Sequence, residues 1–484
     1  MKERKRILSR RSFLLASVSV SAGAMLAACA PATPVQPTEA PKAEAPTEAP
    51  KAEAPTEAPA QPTEAPEPAA TAAPAAQNVE LGLLLVDWNE AFRTILDGEI
   101  IPEFQEANPG VTVLTDYTTW DQLDPKVMTA AAGGLAPDLF MADGVEFGVK
   151  YYLRGILAEM DPYVEASGGD KVLGDFYPKA LNESCIYKGK LIALPYLFDN
   201  RALFYRKDFL EEVGLDPAKP PQNWDELRQA AIKLTKMAGD GTWERAGYHN
   251  DTGFACFQAF VPFLWQNGGS VLNADGTKAA FNSDAGVEGL QLWTDMVRVD
   301  KVSPVENMPD VGDMSAFTAG QVGLTQSGYG VLEQYVNYAP DKRDQVGVTV
   351  FGQKEKGSLW YANAYLMTKG DQQELAWKLL MHLVMDDDNF TKFLVALNSL
   401  PPRMSIVKSA PHMTPEHMVL IDDVMAAPAS HTSPQVPYTF EVLNRIDDAI
   451  QKAIFGTATP KEGLDVAAEE ANAIIDRYLA ENPS

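Results

Sequence analysis

Residues Tyr187–Leu227 read YKGKLIALPYLFDNRALFYRKDFLEEVGLDPAKPPQNWDEL. A turn at Lys188-Gly189-Lys190 runs into the apolar segment Leu191–Leu194, the length of a buried strand. Pro195 is expected to interrupt the ladder there, because it has no N–H to donate and holds its own φ near −65°. A second apolar run, Ala202–Tyr205, follows. A helical pattern then starts at Lys207-Asp208 and ends at Gly214, Pro220-Pro221 halts the chain, and Asn223 or Asp225 caps a further helix from Trp224 to Met237. Two strands joined by a short extended break suit a chain that leaves one sheet for another. That is how a hinge between lobes is made.

On the N-terminal side, Val79–Val86 is a nearly continuous apolar run, suited to a strand covered on both faces. Asp87-Trp88-Asn89 follows, and Phe92, Ile95, Leu96, Ile100 and Phe104 recur at helical spacing. Asn108-Pro109-Gly110 stops that helix before the strand Val111–Leu114. Strand, helix, strand is a βαβ unit, so this sheet is mainly parallel, and ligands bind beyond the C-terminal ends of such strands. Trp88 sits at one of those ends. Trp120–Ala132 reads as a helix and Pro137–Met141 as the third strand, with Asp143 and Glu146 beyond it, ahead of a helix Phe147–Leu157.

On the other side, Phe254–Trp265 is strongly apolar, and Val271–Phe281 reads as a hairpin around Asn273-Ala274-Asp275-Gly276. That loop lacks the alternating oxygen ligands and closing Glu of an EF-hand, so a plain turn is the reading. Val287–Val299 is amphipathic, Met314–Gly320 reads as a helix and turn, and Val322–Thr325 leads to Gly328-Tyr329-Gly330. Val346–Val350 ends the second lobe's strands. Trp360-Tyr361-Ala362-Asn363 and the strand Ala364–Met367 return to the first lobe, with helices Leu375–Val384 and Asp388–Leu397 after them. Helices Phe440–Ile454 and Glu462–Leu479 complete the second lobe.

Lys190–Pro195, Leu203–Leu210 and Pro221–Leu227 together resemble the signature of family 1 extracellular solute-binding proteins, the carbohydrate-binding components of ABC importers. Ala132-Gly133 with Pro137-Asp138, Met314–Gly320, Pro401-Pro402-Arg403 and Gly456–Pro460 resemble further elements of that family, and the likeness runs through nearly the whole chain after residue 78. It implies an α/β, two-lobe periplasmic-binding-protein fold of type II kind, with the ligand cleft between lobes joined by hinge crossings. The expected lobes are 79–199 with 357–400, and 200–356 with 401–484, the third crossing falling at Ser399–Met404. The resemblance also implies that Asp143 and Glu146 contact sugar and that Tyr329 lies against the ligand.

Residues 1–29 read as an export signal, with Lys2, Arg4, Lys5, Arg6, Arg10 and Arg11 ahead of the apolar run Phe13–Leu26. Ser9–Leu14 resembles a twin-arginine motif, and Sec export stays open beside it. Leu26-Ala27-Ala28-Cys29 resembles a bacterial lipobox, which would leave Cys29 as a lipidated first residue; an ordinary cleavage site is the plainer alternative. Residues 30–78 repeat EAPKAEAPTEAP with almost no apolar side chains, so a disordered, partly polyproline II linker is expected, reaching on the order of 150 Å if extended. Lipid, stalk and body together predict a protein held on the outer face of the bacterial cytoplasmic membrane. Cys185 and Cys256 either pair in an oxidising compartment or are free core residues.

The formal net charge of −26 argues against nucleic acid or an anionic membrane face as a partner. The five histidines show no HExxH, and there is no cysteine pair at zinc spacing, no GxSxG and no Walker A loop, so no catalytic group, metal or cofactor is expected. Acidic pairs such as Asp422-Asp423 read as solvated surface. The aromatic residues say more. A pyranose has an apolar face that flat rings bury and a rim of hydroxyls that Asp, Glu, Asn or Arg satisfy. The candidates are Trp88, Asn89, Trp120, Asp143, Glu146, Asp199, Tyr329, Trp360, Tyr361, Arg403 and Tyr438. Asp199, in the hinge loop, alternatively holds the crossing by backbone hydrogen bonds, and Arg403 binds ligand or pairs with a carboxylate such as Asp199. Each ring has core packing as its plain alternative, and Trp243, Trp265, Trp293 and Trp377 read as core.

The expected activity is capture of a mono- or oligosaccharide and its delivery to an ABC importer permease. A polyamine, glycerol phosphate or peptide on the same fold is the first alternative. A secreted, lipid-anchored polysaccharide-degrading enzyme is the rival from another class, and a purely structural surface protein is the third.

Overall fold

A computed structural model describes residues 78–482. The expected signal peptide, the lipobox at Cys29 and the linker up to residue 77 lie outside the described residues, as do 483 and 484.

Twelve strands are present: β1 Val79–Val86, β2 Val111–Thr118, β3 Leu139–Asp143, β4 Ile186–Tyr187, β5 Lys190–Leu191, β6 Leu194–Phe198, β7 Ala202–Arg206, β8 Lys236–Met237, β9 Trp243–Tyr248, β10 Val322–Ser327, β11 Val346–Thr349 and β12 Ala362–Met367. They form two five-stranded sheets, ordered β2-β1-β3-β12-β6 and β11-β7-β10-β9-β8, and a small β4-β5 hairpin. In the first sheet β1 lies parallel to β2 and β3, while β12 returns antiparallel to β3 and β6. In the second, β10 runs parallel to β9 and antiparallel to β7.

The helical pattern after Trp88 becomes the helices Glu90–Ile95 and Ile101–Ala107, joined without a break by the wider turn Leu96–Ile100. Phe92, Leu96, Ile100 and Phe104 repeat every fourth residue and are all buried on one face. Each such side chain taken out of water contributes roughly 1.5–3 kcal/mol. The helix begins at Asn89, whose Oδ1 accepts from the Phe92 N–H at 2.7 Å.

Pro195 does not break the ladder. The apolar run divides earlier, at Ile192-Ala193, and β6 runs straight through Pro195, which pairs with Ala364 beside an irregularity in β12. Its missing N–H is tolerated because β6 is the edge strand of the first sheet. The crossing comes just after, where Asp199-Asn200-Arg201 links β6 of one sheet to β7 of the other. Two further segments run beside it. The Asp199 and Arg201 N–H groups donate to the Tyr361 and Leu359 carbonyls at 3.1 and 2.8 Å, and the Phe198 N–H donates to the Leu400 carbonyl at 2.8 Å.

Met314–Gly320, expected as a helix, is a series of turns, Val311 and Met314 closing on each other through their backbones. The segment after the third crossing, expected with the second lobe, ties into both. Met404 donates its N–H to the Asp175 carbonyl in the first lobe at 2.7 Å, whereas Glu416 pairs with Lys207, just past β7, at 3.4 Å. Helices Thr439–Phe455 and Pro460–Glu481 pack on the second lobe's core, against helix Asp284–Arg298. Trp293 is buried there, as are Trp265 in the second lobe and Trp377 in the first, while Trp243 is half-exposed. Cys185 and Cys256 are free thiols in two different cores, so the disulfide is not formed. Among the described residues, no helix is long and apolar enough to cross a membrane.

Candidate functional site

Strands β1, β9 and β10 end at the same gap between the lobes. The residues just past them, Trp88 and Asn89, His249 and Asn250, and Gly328 and Tyr329, line one cavity of 410 Å³ together with Asp199 and Arg201 from the crossing. That is within the roughly 300–1,000 Å³ range of small-molecule sites. Trp88 and Tyr329 meet across the gap, their ring centroids 6.4 Å apart and tilted by 47°. Trp120, at the start of helix Trp120–Ala132, stands edge-on to Trp88 at 5.8 Å and so backs the indole without lining the cavity.

Asn89 is fully occupied by structure. Beside its cap, its Nδ2 donates at 3.2 Å to Glu333 Oε1 in the opposite lobe and at 3.2 Å to the Ala396 carbonyl. It ties the lobes together at the rim. Burial raises the Glu333 carboxyl above the usual range.

Asp199 faces the cavity paired with Arg201. Arg201 also donates to Gln258 Oε1, from Nε at 3.0 Å and from Nη2 at 2.5 Å. Its guanidinium carbon lies 6.0 Å from the Tyr361 ring centroid. Gly328 presses on this ion pair so closely that a Cβ there would collide with both Asp199 Oδ1 and Arg201 Nη1. Glycine is needed at this position for close approach.

The other candidates stand elsewhere. Asp143 closes β3, and its Oδ1 accepts from the Val145 and Glu146 N–H groups at 2.8 and 2.6 Å. Glu146 accepts the Ser433 hydroxyl at 2.7 Å. Both carboxyls are buried off the cavity, and burial raises both, with the Asp143 charge adding to the rise at Glu146. Tyr361 is buried beside Glu146, and its backbone carbonyl holds the crossing. Trp360 is fully buried, with Lys179 Nζ 5.4 Å from its ring, and does not line the cavity.

Arg403 does not meet Asp199. It donates to Asp175 Oδ2 at 2.9 Å, to Asp387 Oδ1 at 2.7 Å and to the Val384 carbonyl at 3.1 Å, fastening the third crossing to the first lobe. Tyr438 donates its hydroxyl to the Gly276 carbonyl at 2.6 Å, pinning the 273–276 turn on the far side of the second lobe. In both cases a short-range network claims the polar atoms before a ligand can.

The residues that sequence reasoning missed include Arg201, Gln258, Asn250, Asp251, Asp310, Gln326 and Glu333. Arg201 stands two positions from Asp199, and Asn250 follows a strand end just as Trp88 does, so both carried a signal. Gln326 inside β10 and Glu333 on a helix carried none. Among the described residues, no group of three or more His, Cys, Asp or Glu is placed to hold a metal ion.

Two sheets, three crossing segments and a cavity at the strand ends define a two-lobe solute-binding protein. The chain belongs to the family described as bacterial extracellular solute-binding protein, whose pattern it matches over residues 89–387. It is 25% identical over 383 residues, 78% of this chain and 89% of the other, to a protein of Brucella abortus (strain 2308) named as a binding protein. It is 23% identical to the sn-glycerol-3-phosphate-binding periplasmic protein UgpB of Escherichia coli (strain K12) over 83% of this chain and 97% of that one. Among solved structures, an ABC transporter solute-binding protein of Thermotoga lettingae bound with alpha-D-tagatose superposes with a TM-score of 0.71, at 24% identity, covering 82% of this chain and 99% of that one.

Proposed function

We propose that this chain captures a mono- or oligosaccharide between its lobes and delivers it to the permease of an ABC importer, while tethered to the outer face of the cytoplasmic membrane by lipid on Cys29. The observation that carries the carbohydrate is the cavity wall: Trp88 and Tyr329 offer ring faces, and Asp199, Arg201, Asn250, Gln258 and Gln326 offer hydrogen-bonding groups around them. Flat rings and a polar rim match a pyranose on both counts. Within the notebook of candidates named from sequence, Trp88, Asp199 and Tyr329 are the proposed contacts, Trp120 backs Trp88, and Asn89, Asp143, Glu146 and Tyr361 support the hinge and rim.

A second reading has its own observation. Asp251, Asp310 and Glu333 add carboxylates to the wall, as a polyamine would need. A thermal-shift screen of the full chain with neutral sugars, putrescine, spermidine and sn-glycerol-3-phosphate tests both readings. A rise with a neutral sugar and none with an amine is the expected result. A rise with amines alone sinks the carbohydrate reading, and chromatography showing cleaved oligosaccharide would move the protein to the enzyme class.

A further inference from the structure

Two side chains on the second lobe's wall carry polar atoms that the protein itself leaves unused. Asn250, just past β9, and Gln326, in β10, line the cavity and are each more than nine-tenths buried. Asn250 Nδ2 and Gln326 Oε1 have no hydrogen-bond partner. Their orientations are set by their other ends. Asn250 Oδ1 accepts from the Gln326 N–H and the Thr325 hydroxyl, both at 2.9 Å. Gln326 Nε2 donates to the Ala259 carbonyl at 3.1 Å and to the Tyr248 hydroxyl at 3.0 Å. Turning either amide over would set oxygen against oxygen or N–H against N–H. One donor and one acceptor therefore stand ready side by side, and each orphaned group costs about 1–3 kcal/mol until a partner arrives.

The charges nearby narrow what that partner is. Among the described residues lining the cavity, Arg201 is the sole Lys or Arg, and its donors are taken by Asp199 and Gln258. His249 is likewise engaged, with Ser303 on one ring nitrogen at 2.5 Å and the Met308 N–H and Asp251 on the other at 3.3 Å. A phosphate would meet carboxylates and no uncommitted cation. An ammonium would meet carboxylates, but it has no lone pair to accept from Asn250 Nδ2.

We infer that Asn250 and Gln326 are the specificity-determining pair of the cleft, selecting an uncharged polyol whose hydroxyls both accept and donate, against phosphorylated and cationic ligands. This rests on the cleft being the solute site, as proposed above. Entry of the ligand gives Asn250 Nδ2 an oxygen and Gln326 Oε1 a hydroxyl proton, so part of the binding free energy is the relief of two buried, unpaired groups.

The test is titration calorimetry on the full chain with maltose, mannobiose and D-tagatose beside sn-glycerol-3-phosphate and putrescine, for the unsubstituted protein, Asn250→Asp and Gln326→Met. Asn250→Asp keeps the oxygen that accepts from Gln326 and Thr325 and exchanges only the unused donor. It is expected to bind the neutral sugar at least tenfold more weakly, to gain affinity for putrescine, and to melt within about 2 °C of the parent, a difference well under 1 kcal/mol for a chain of this size. Gln326→Met is expected to weaken the sugar comparably, and it decides the matter if the aspartate variant fails to fold. Undiminished sugar binding by a folded variant overturns the pair's role and leaves the carbohydrate reading standing. A parent protein that takes sn-glycerol-3-phosphate or putrescine and no neutral sugar, or none of the probes, overturns both.

Discussion

Trp88 and Tyr329 belong to different lobes and face one another across the cleft at 6.4 Å, the first at the end of β1 and the second just past the end of β10. A ligand that separates or parallels these rings changes the surroundings of an indole. Saturating sugar is therefore expected to shift the intrinsic tryptophan emission, and Trp88→Ala to remove most of that shift. The same variant should lose tenfold or more in affinity, since an aromatic contact contributes roughly 0.5–1.5 kcal/mol beyond its buried area. Unchanged affinity in Trp88→Ala would place the ligand elsewhere.

Gly328→Val tests the packing behind the site. Its φ is unremarkable, so the penalty is steric: the new Cβ displaces the Asp199–Arg201 pair. A loss of about 1–3 kcal/mol in stability is expected, together with loss of binding. Urea melts matching the parent would show that the pair has room to move.

The pH dependence has one traceable source in the third crossing. His412 and His417 stand edge to edge at 5.7 Å, with His412 Nε2 on the Ser399 carbonyl at 2.7 Å and Arg343 and Glu416 nearby. Burial lowers both, His417 to about 4, and the His412 charge deepens that fall. The unfolded chain takes up this proton from about pH 6.5 downward and the folded chain does not, so the contribution is complete above pH 6.5. It is lost as pH falls towards 4, and it amounts to roughly 3 kcal/mol. Denaturant melts at pH 7.5, 6 and 5 should show a shallower slope for His417→Gln than for the parent. Parallel slopes would refute it.

Arg403→Met separates structure from recognition. With its three partners at the third crossing lost, stability should fall by roughly 2–3 kcal/mol, less than for a fully buried pair because Asp387 is exposed. Affinity measured on the folded fraction should hold. A selective loss of sugar affinity would restore Arg403 to the binding site.

Cys185 and Cys256 should both react with a thiol reagent after denaturation without reductant, and dithiothreitol should leave the melting temperature of the globular body unchanged. A melting temperature lowered by reductant would contradict the two separate thiols.

Periodicity and composition alone marked the first βαβ unit, the helix Trp120–Ala132, the strand pair flanking Asp199 and the paired C-terminal helices. These depend on neighbours in the chain: which side chains recur at 3.6 or 2, and where Pro and Gly deny the backbone a partner. Trp88, Asp199 and Tyr329 were legible for the same reason, being residues that follow strand ends. What the tertiary structure decided is where polar atoms found partners. Arg403 and Tyr438 were spent on Asp175, Asp387 and the Gly276 carbonyl, while Asn250 and Gln326 were left with one free atom each. Hydrogen bonds between residues far apart in sequence leave no local pattern, so only the folded chain could tell a committed side chain from an available one.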